Sequence, residues 1–207
     1  VIWAVILAAG ESRRMGGQKL LLPYGDHTVI ETIVKTALDS SLDGTMVVLG
    51  ADEVPVRRVL KPYPVRLAVN KDYRLGMLST IQTGFRHLPH NARAALVMLG
   101  DQPEIPVHVI EEILRAYGRG DKGMVIPVAE GRRGHPVLIE AGYKNEVLGL
   151  DPGVGLRQLM VAHPDDVAEV EVAAPGILSD LDVPEDYSGA LGRRRSKDGS
   201  GGGGNRA

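Results

Sequence analysis

The chain has no cysteine among its 207 residues. Disulfides, thiolate catalysis and cysteine-based metal centres are therefore excluded. The absence suits a reducing compartment, and a cytoplasmic location is expected. Aromatic residues are scarce, at one Trp, one Phe and six Tyr. The core must then be built from Val, Leu, Ile, Ala and Met, and a chain of this length can bury such a core without covalent staples. Neither sign of charge is in marked excess, with 24 Lys+Arg against 26 Asp+Glu and a net charge of −2. That balance argues against a general nucleic-acid or membrane-surface binder, so any polyanion has to be met locally. No run reaches the roughly 18 apolar residues of a membrane span. The opening VIWAVILAAG is apolar but no basic segment precedes it. It reads as a core strand rather than a signal peptide. It also lacks an initiator Met, as a trimmed chain or a piece of a longer one would.

Short apolar runs at 2–7, 46–49, 65–69 and 94–99 have the character of strands buried on both faces, and 124–128, 136–139 and 167–172 follow. Between them lie helical stripes: Ile30, Ile33, Val34, Ala37 and Leu38; then Ile81, Phe85 and Leu88; then Val109, Ile110, Ile113, Leu114 and Tyr117. Pro106 can open the third helix and Gly118 can close it. Alternating strand and helix predict an α/β fold, a Rossmann-like three-layer αβα sandwich around a mostly parallel, mixed sheet. In such sheets ligands collect beyond the carboxyl ends of the strands. From Gly189 the sequence GALGRRRSKDGSGGGGNRA is rich in Gly and Arg and poor in apolar residues. One domain over 1–188 is expected, followed by a disordered tail over 189–207.

The stretch VILAAGESRRMGGQK, residues 5–19, leaves the first strand and at once places cations on a glycine-rich loop. Ala8, Ala9 and Gly10 are small enough for the backbone to approach a ligand, and successive N–H groups there can form an anion-binding nest. Arg14 offers a planar fork to phosphate oxygens, and Lys19 a point charge. The spacing is not that of a P-loop, since Lys19 follows Gln18 and precedes Leu20, nor that of a Gly-x-Gly-x-x-Gly fingerprint. Taken alone, the loop also fits a plain glycine turn with solvated arginines.

LAAGESRRMGGQKLLLPYGDHTVIE resembles the opening of the nucleotidyltransferases related to the molybdenum cofactor enzymes. Gly10, Ser12, Arg14, Met15, Gly16 and Lys19 match that pattern, whereas Arg13 falls at a variable position and inherits no role. The resemblance runs over about residues 2–187. It implies a nucleotide-diphospho-sugar transferase-like fold, with Leu7, Ala8, Ala9, Gly10, Ser12 and Gly16 around the nucleotide. Arg14 and Lys19 would then stabilise the α-phosphate and the departing pyrophosphate. In ALVMLGDQP, Asp101 follows a strand; by its position it is either a turn aspartate or a ligand for Mg²⁺, and the family uses it for metal. In ILSDLDVPEDY, Asp180 and Asp182 share one face if the segment is extended. The family's second metal ligand matches Asp182, with Val183 standing where Thr is usual; the residues alone also allow Asp182 to cap a helix opened by Pro184. In VNKDYRLGMLSTIQTGF, the family places base and ribose against the residues matching Asn70, Gly76 and Ser79, although a turn and an N-cap explain the first and last equally well. GRRGHPVLI resembles the family's acceptor side, where His135 and Arg133 would hold an anionic acceptor. LDPGVGLR, with Asp151, Gly153, Gly155 and Arg157, matches a later family stretch loosely.

The reaction so implied is attack by an acceptor phosphate on the α-phosphorus of a nucleoside triphosphate. A phosphomonoester, with a second pKa of about 6, needs no strong base, so the protein has to supply charge compensation and alignment. Mg²⁺, or Mn²⁺ in its place, on Asp101 and Asp182 would bridge the phosphates. Guanylyl members tend to read Leu-Ala-Gly-Gly and cytidylyl members Leu-Ala-Ala-Gly, and this chain has Ala8-Ala9-Gly10. The resemblance therefore favours CTP as donor and molybdopterin as acceptor, with a molybdenum hydroxylase as a downstream protein partner and no role for nucleic acid or membrane. Two alternatives stand beside it: a different phosphate acceptor, such as a sugar or polyol phosphate, and a non-catalytic protein that delivers a molybdenum cofactor. A glycosyltransferase, suggested by Asp180-Leu181-Asp182, is weaker, because that pair sits near the end of the chain.

Overall fold

The computed structural model describes residues 1–11, 18–151 and 153–200. Apolar runs without polar interruption become strands covered on both sides. β1 (Ile2–Ala8) lies at the centre of the sheet. After it come a short hairpin of β2 (Pro23–Tyr24) and β3 (His27–Thr28), then α1 (Val29–Leu38), β4 (Gly44–Leu49), α2 (Glu53–Leu60) and β5 (Arg66–Val69). The chain continues through α3 (Met77–His87), β6 (Ala94–Leu99), α4 (Val107–Gly118), β7 (Met124–Ala129), β8 (Arg132–Arg133) and β9 (Val137–Glu140). Last come α5 (Lys144–Gly149), α6 (Arg157–Ala162), β10 (Val167–Glu171) and α7 (Pro184–Ser200).

The main sheet has the order β10-β7-β9-β6-β1-β4-β5, with β8 paired to β7. β1 runs parallel to both β4 and β6, β4 to β5, and β10 to β7. β9 is antiparallel to both neighbours, which makes the sheet mixed. Alternation along each strand splits the core into two layers. Ala4 and Ile6 of β1 join Ile30, Ile33, Val109 and Ile110 of α1 and α4 on one face. Val5 joins Leu78, Ile81, Phe85, Val147 and Leu159 of α3, α5 and α6 on the other. Gln82, buried on α3, donates to the carbonyls of Val147 and Leu150 and ties that layer together.

Local sequence places α1 tightly. Thr28 Oγ1 accepts from the Glu31 N–H, and Glu31 Oε2 accepts from the Thr28 N–H, a reciprocal cap written in the sequence TVIE.

α7 runs from Pro184 to Ser200 and so crosses Gly189, the boundary at which the sequence suggests a tail. Gly189, Gly192 and the arginine run disguise a docking face. Ala190 is fully buried, and with Leu181, Tyr24 and Val29 it forms a third apolar cluster. Arg193 makes a forked ion pair with Glu104, with Nη2 2.6 Å from Oε2, and the Arg194 guanidinium lies 4.9 Å above the Tyr24 ring. Residues 201–207 lie outside the described residues. Among the described residues, no helix is long and apolar enough to cross a membrane.

Candidate active site

Three of the sequence-predicted polar residues meet at the carboxyl ends of β1 and β6. Lys19 Nζ lies 2.5 Å from Asp101 Oδ2 and 3.1 Å from Asp182 Oδ1. Lys19 stands on the single helical turn after the opening loop, Asp101 two residues beyond β6, and Asp182 two residues before α7. Backbone bonds hold the last two together: the Leu181 N–H donates to the Asp101 carbonyl over 3.2 Å. The Asp186 carboxylate accepts from the N–H groups of Asp182 and Val183, and the Asp182 carboxylate turns to Lys19.

Partial burial works against the ammonium of Lys19, but the two carboxylates outweigh it and hold its pKa above the ordinary lysine value. Asp180 faces the same cleft. Burial pushes its pKa up, a hydrogen bond from Gln102 opposes this, and the charges of Asp101 and Asp182 push it further up. Gln102, almost wholly buried, donates from Nε2 to Asp180 Oδ1 over 2.5 Å.

The cleft has a volume of about 330 Å³. Leu7, Ala8, Ala9 and Gly10 form one wall, Gly76, Met77 and Thr80 at the start of α3 another, and Asp101, Asp180 and Asp182 the floor. Gly76 opens α3 at a φ of +100°, which favours glycine. The methyl group of Ala9 turns toward Gly50: a Cβ at Gly50 would stand 2.6 Å from it. Ser12, Arg14 and Gly16 lie outside the described residues.

Asn70 and Ser79 stand behind the cleft wall. Asn70 is buried and donates to Ser79 Oγ and Thr80 Oγ1 over 2.9 and 3.0 Å, while its Oδ1 accepts from the Asp72 N–H. Ser79 Oγ donates to the Gly76 carbonyl over 2.7 Å. Thr80, which lines the cleft one turn after Gly76, was missed in the sequence, although its i+4 spacing was a usable signal. Gln102 was also missed; only its position beside Asp101 hinted at it.

His135 and Arg133 do not join Lys19. They line a second cavity of about 730 Å³ with Arg132, Arg157, Ile126 and Met160, and Met77 borders both spaces. His135 follows Gly134, where a Cβ would meet the Ile177 carbonyl at 2.4 Å, so only glycine lets the two segments touch. Burial pushes the His135 pKa down, partly opposed by the charge of Asp101. Arg133 pairs with Glu169 over 2.6 Å. Gly155 and Arg157 border this second cavity, and Asp151 accepts from the Gly153 N–H in a tight turn before it.

The donor set at the floor of the first cleft is oxygen only, which suits a hard cation. Two carboxylates already converge on one positive charge, and phosphate oxygens would complete such a shell. Among the described residues, no group of three His, Cys, Asp or Glu side chains forms a metal site without them.

Residues 4–167 match the model of the MobA-like NTP transferase domain. A nicotine blue oxidoreductase of Paenarthrobacter nicotinovorans is 32% identical over 198 residues, which is 89% of this chain and 93% of that protein. The molybdenum cofactor cytidylyltransferase of Escherichia coli is 24% identical over 88% of this chain and 92% of its own. The solved structure of a nucleotidyl transferase from Methanothermobacter thermautotroptrophicus superposes with a TM-score of 0.80 at 25% identity, over 95% of this chain and 98% of that one. The mixed sheet with flanking helices is thus the nucleotide-diphospho-sugar transferase fold, and the chain belongs to the MobA-like nucleotidyltransferase family.

Proposed function

We propose that the protein transfers CMP from CTP to the terminal phosphate of molybdopterin and releases pyrophosphate. The observation that carries this reading is the meeting of Lys19, Asp101 and Asp182 beneath the Ala8-Ala9-Gly10 wall. The triphosphate would lie along that wall. An oxygen of the acceptor phosphate attacks the α-phosphorus, the bond to the β-phosphate bridging oxygen breaks, and pyrophosphate leaves with the electron pair. Lys19, together with Arg14, offsets the negative charge that grows on the α-phosphate and the leaving group. Asp101 and Asp182 would hold Mg²⁺ or Mn²⁺. Such an ion, when bound, supplies charge neutralisation at the phosphates. The second cavity, with His135, Arg133 and Arg157 on an otherwise largely apolar wall, fits a flat anionic acceptor next to the nucleotide. The choice of CTP rests on Ala8-Ala9-Gly10.

Purified protein with Mg²⁺, molybdopterin and each nucleoside triphosphate in turn should release pyrophosphate fastest with CTP. Equal release with sugar or polyol phosphates would reassign the acceptor. Binding of the cofactor without pyrophosphate in any combination would make the protein a carrier.

A second reading is favoured by the 32% identity to a protein named as an oxidoreductase. In it the same two cavities hold a reducing dinucleotide and an electron-accepting heterocycle. Dye reduction by a reduced nicotinamide dinucleotide, with no pyrophosphate released from any triphosphate, would establish it.

A further inference from the structure

We infer that Gln102 is a positioning residue whose side-chain amide holds the first cleft and the second cavity in a fixed relation. The inference rests on the proposed reaction, in which the nucleotide occupies one space and the acceptor the other. Gln102 stands behind both spaces, almost wholly buried. Its Nε2 donates to Asp180 Oδ1 over 2.5 Å and to the Ile177 carbonyl over 3.3 Å. Asp180 lines the first cleft. The Ile177 carbonyl also accepts from the His135 N–H over 3.2 Å, and His135 lines the second cavity. One amide group thus bridges the walls of both.

The segment it grips has little room to adjust by itself. Pro175–Leu178 forms a single helical turn, and a Cβ at Gly176 would stand 2.7 Å from the Glu104 carbonyl oxygen. On its other side the Ile177 carbonyl lies against Gly134. A shift of this turn therefore moves the rim of the second cavity, and Gln102 ties the turn to the floor of the first cleft. The amide is not placed there for stability. Its Oε1 is sealed from solvent and has no hydrogen-bond partner among the described residues. A buried acceptor left unpaired costs free energy, and a methionine of similar length would fill the space without that cost. What the amide supplies is geometry. In transfer between two separately bound phosphates, alignment carries a large part of the rate, and an offset of about 1 Å costs on the order of a hundredfold.

The test uses the full chain with Mg²⁺, CTP and molybdopterin, and reads kcat and KM from pyrophosphate release. Gln102→Met should lower kcat by on the order of tenfold to a hundredfold. It should leave KM for CTP unchanged and keep or raise the urea midpoint of wild type. Asp180→Ala breaks the same bond from its exposed end and should lower kcat by a similar factor. The double variant should lose no more than either single one, as expected of two side chains that act through one bond. Should Gln102→Met fail to fold, Gln102→Asn, one methylene short of both acceptors, takes its place in the same cycle. Full kcat in the folded Gln102 variant, or additive losses in the double variant, overturns the inference and leaves the proposed reaction standing. So does a raised KM for CTP with kcat unchanged, which would place Gln102 in nucleotide binding alone. No pyrophosphate from wild type with any acceptor overturns the reaction and the inference together.

Discussion

The backbone N–H of Leu181 donates to the carbonyl of Asp101 across 3.2 Å, joining residues eighty positions apart. This bond lies beside the two carboxylates that flank Lys19. It turns an aspartate after a strand and an aspartate before a helix into one acidic floor.

Replacing Asp101 with alanine should lower turnover by about a hundredfold or more, the usual scale for removing a group that stabilises transferring charge. Secondary structure should survive, because the Asp101 side chain is 18% exposed and takes no part in the apolar core. Pyrophosphate release and circular dichroism check the two halves. Full activity in a folded variant would remove the proposed metal ligand.

Base choice is tested at the contact of Ala9 with Gly50. Gly50→Ala would drive a methyl group to within 2.6 Å of the Ala9 carbonyl and Cβ. The wall has to shift, and KM for the nucleotide should rise by about tenfold, a typical effect of one misplaced methyl group in a pocket. Ala9→Gly should relax discrimination against GTP. An unchanged ratio of CTP to GTP turnover would count against the role of Ala9.

Docking of α7 is expected to stabilise the site. Ala190→Glu would put a charge into the closed cluster of Tyr24, Val29 and Leu181. Burying an unpaired charge costs far more than undocking a helix, so α7 should detach. Limited proteolysis should then cut within 184–200, and urea unfolding should show a loss of about 2 kcal/mol or more. Equal protease resistance would place the stabilising contacts elsewhere.

Tyr143 and Asp166 give a pH-dependent contribution. The Tyr143 hydroxyl donates to Asp166 Oδ2, and this bond, with burial and nearby negative charge, pushes the Tyr143 pKa up to about 12. The same bond is the main reason that the Asp166 pKa lies below its ordinary 3.8. A raised tyrosine pKa gives stability that is complete below its unfolded value of 10.0 and lost as pH rises toward 12. A lowered aspartate pKa gives stability that is complete above 3.8 and lost as pH falls through the folded value. Tyr143→Phe should therefore cost about 1 kcal/mol, kept small by partial solvation, at a constant level from about pH 5 to 9. The difference from wild type should shrink below pH 3.8. A difference that grows with acid would contradict this pairing.

Much of the scaffold was legible because its strands are buried on both faces and so carry unbroken apolar runs. β1, β4, β6 and β7 lie where those runs predicted. The stripes on α1, α3 and α4 were equally plain, since each helix covers one face of the sheet. α2, α5 and α6 carry only short stripes and were not seen. The antiparallel course of β9 left no mark on its composition, because a doubly covered strand reads the same in either direction. α7 was hidden by Gly189, Gly192 and three arginines; its helix depends on Tyr24, Val29 and Glu104, all remote in sequence.

At the site, residue types were readable and their distances were not. The sequence alone determined that small residues end the first strand, that Lys19 follows them, and that acidic residues stand at 101, 180 and 182. Those are properties of single positions and short spacings. Tertiary structure decided that Lys19 touches both Asp101 and Asp182, that Asn70 and Ser79 brace the wall rather than line it, and that His135 opens onto a second cavity. The reason is physical: such contacts arise when separate strands end at one edge of a sheet, and strand order is set by packing across the whole chain rather than by any local run of residues.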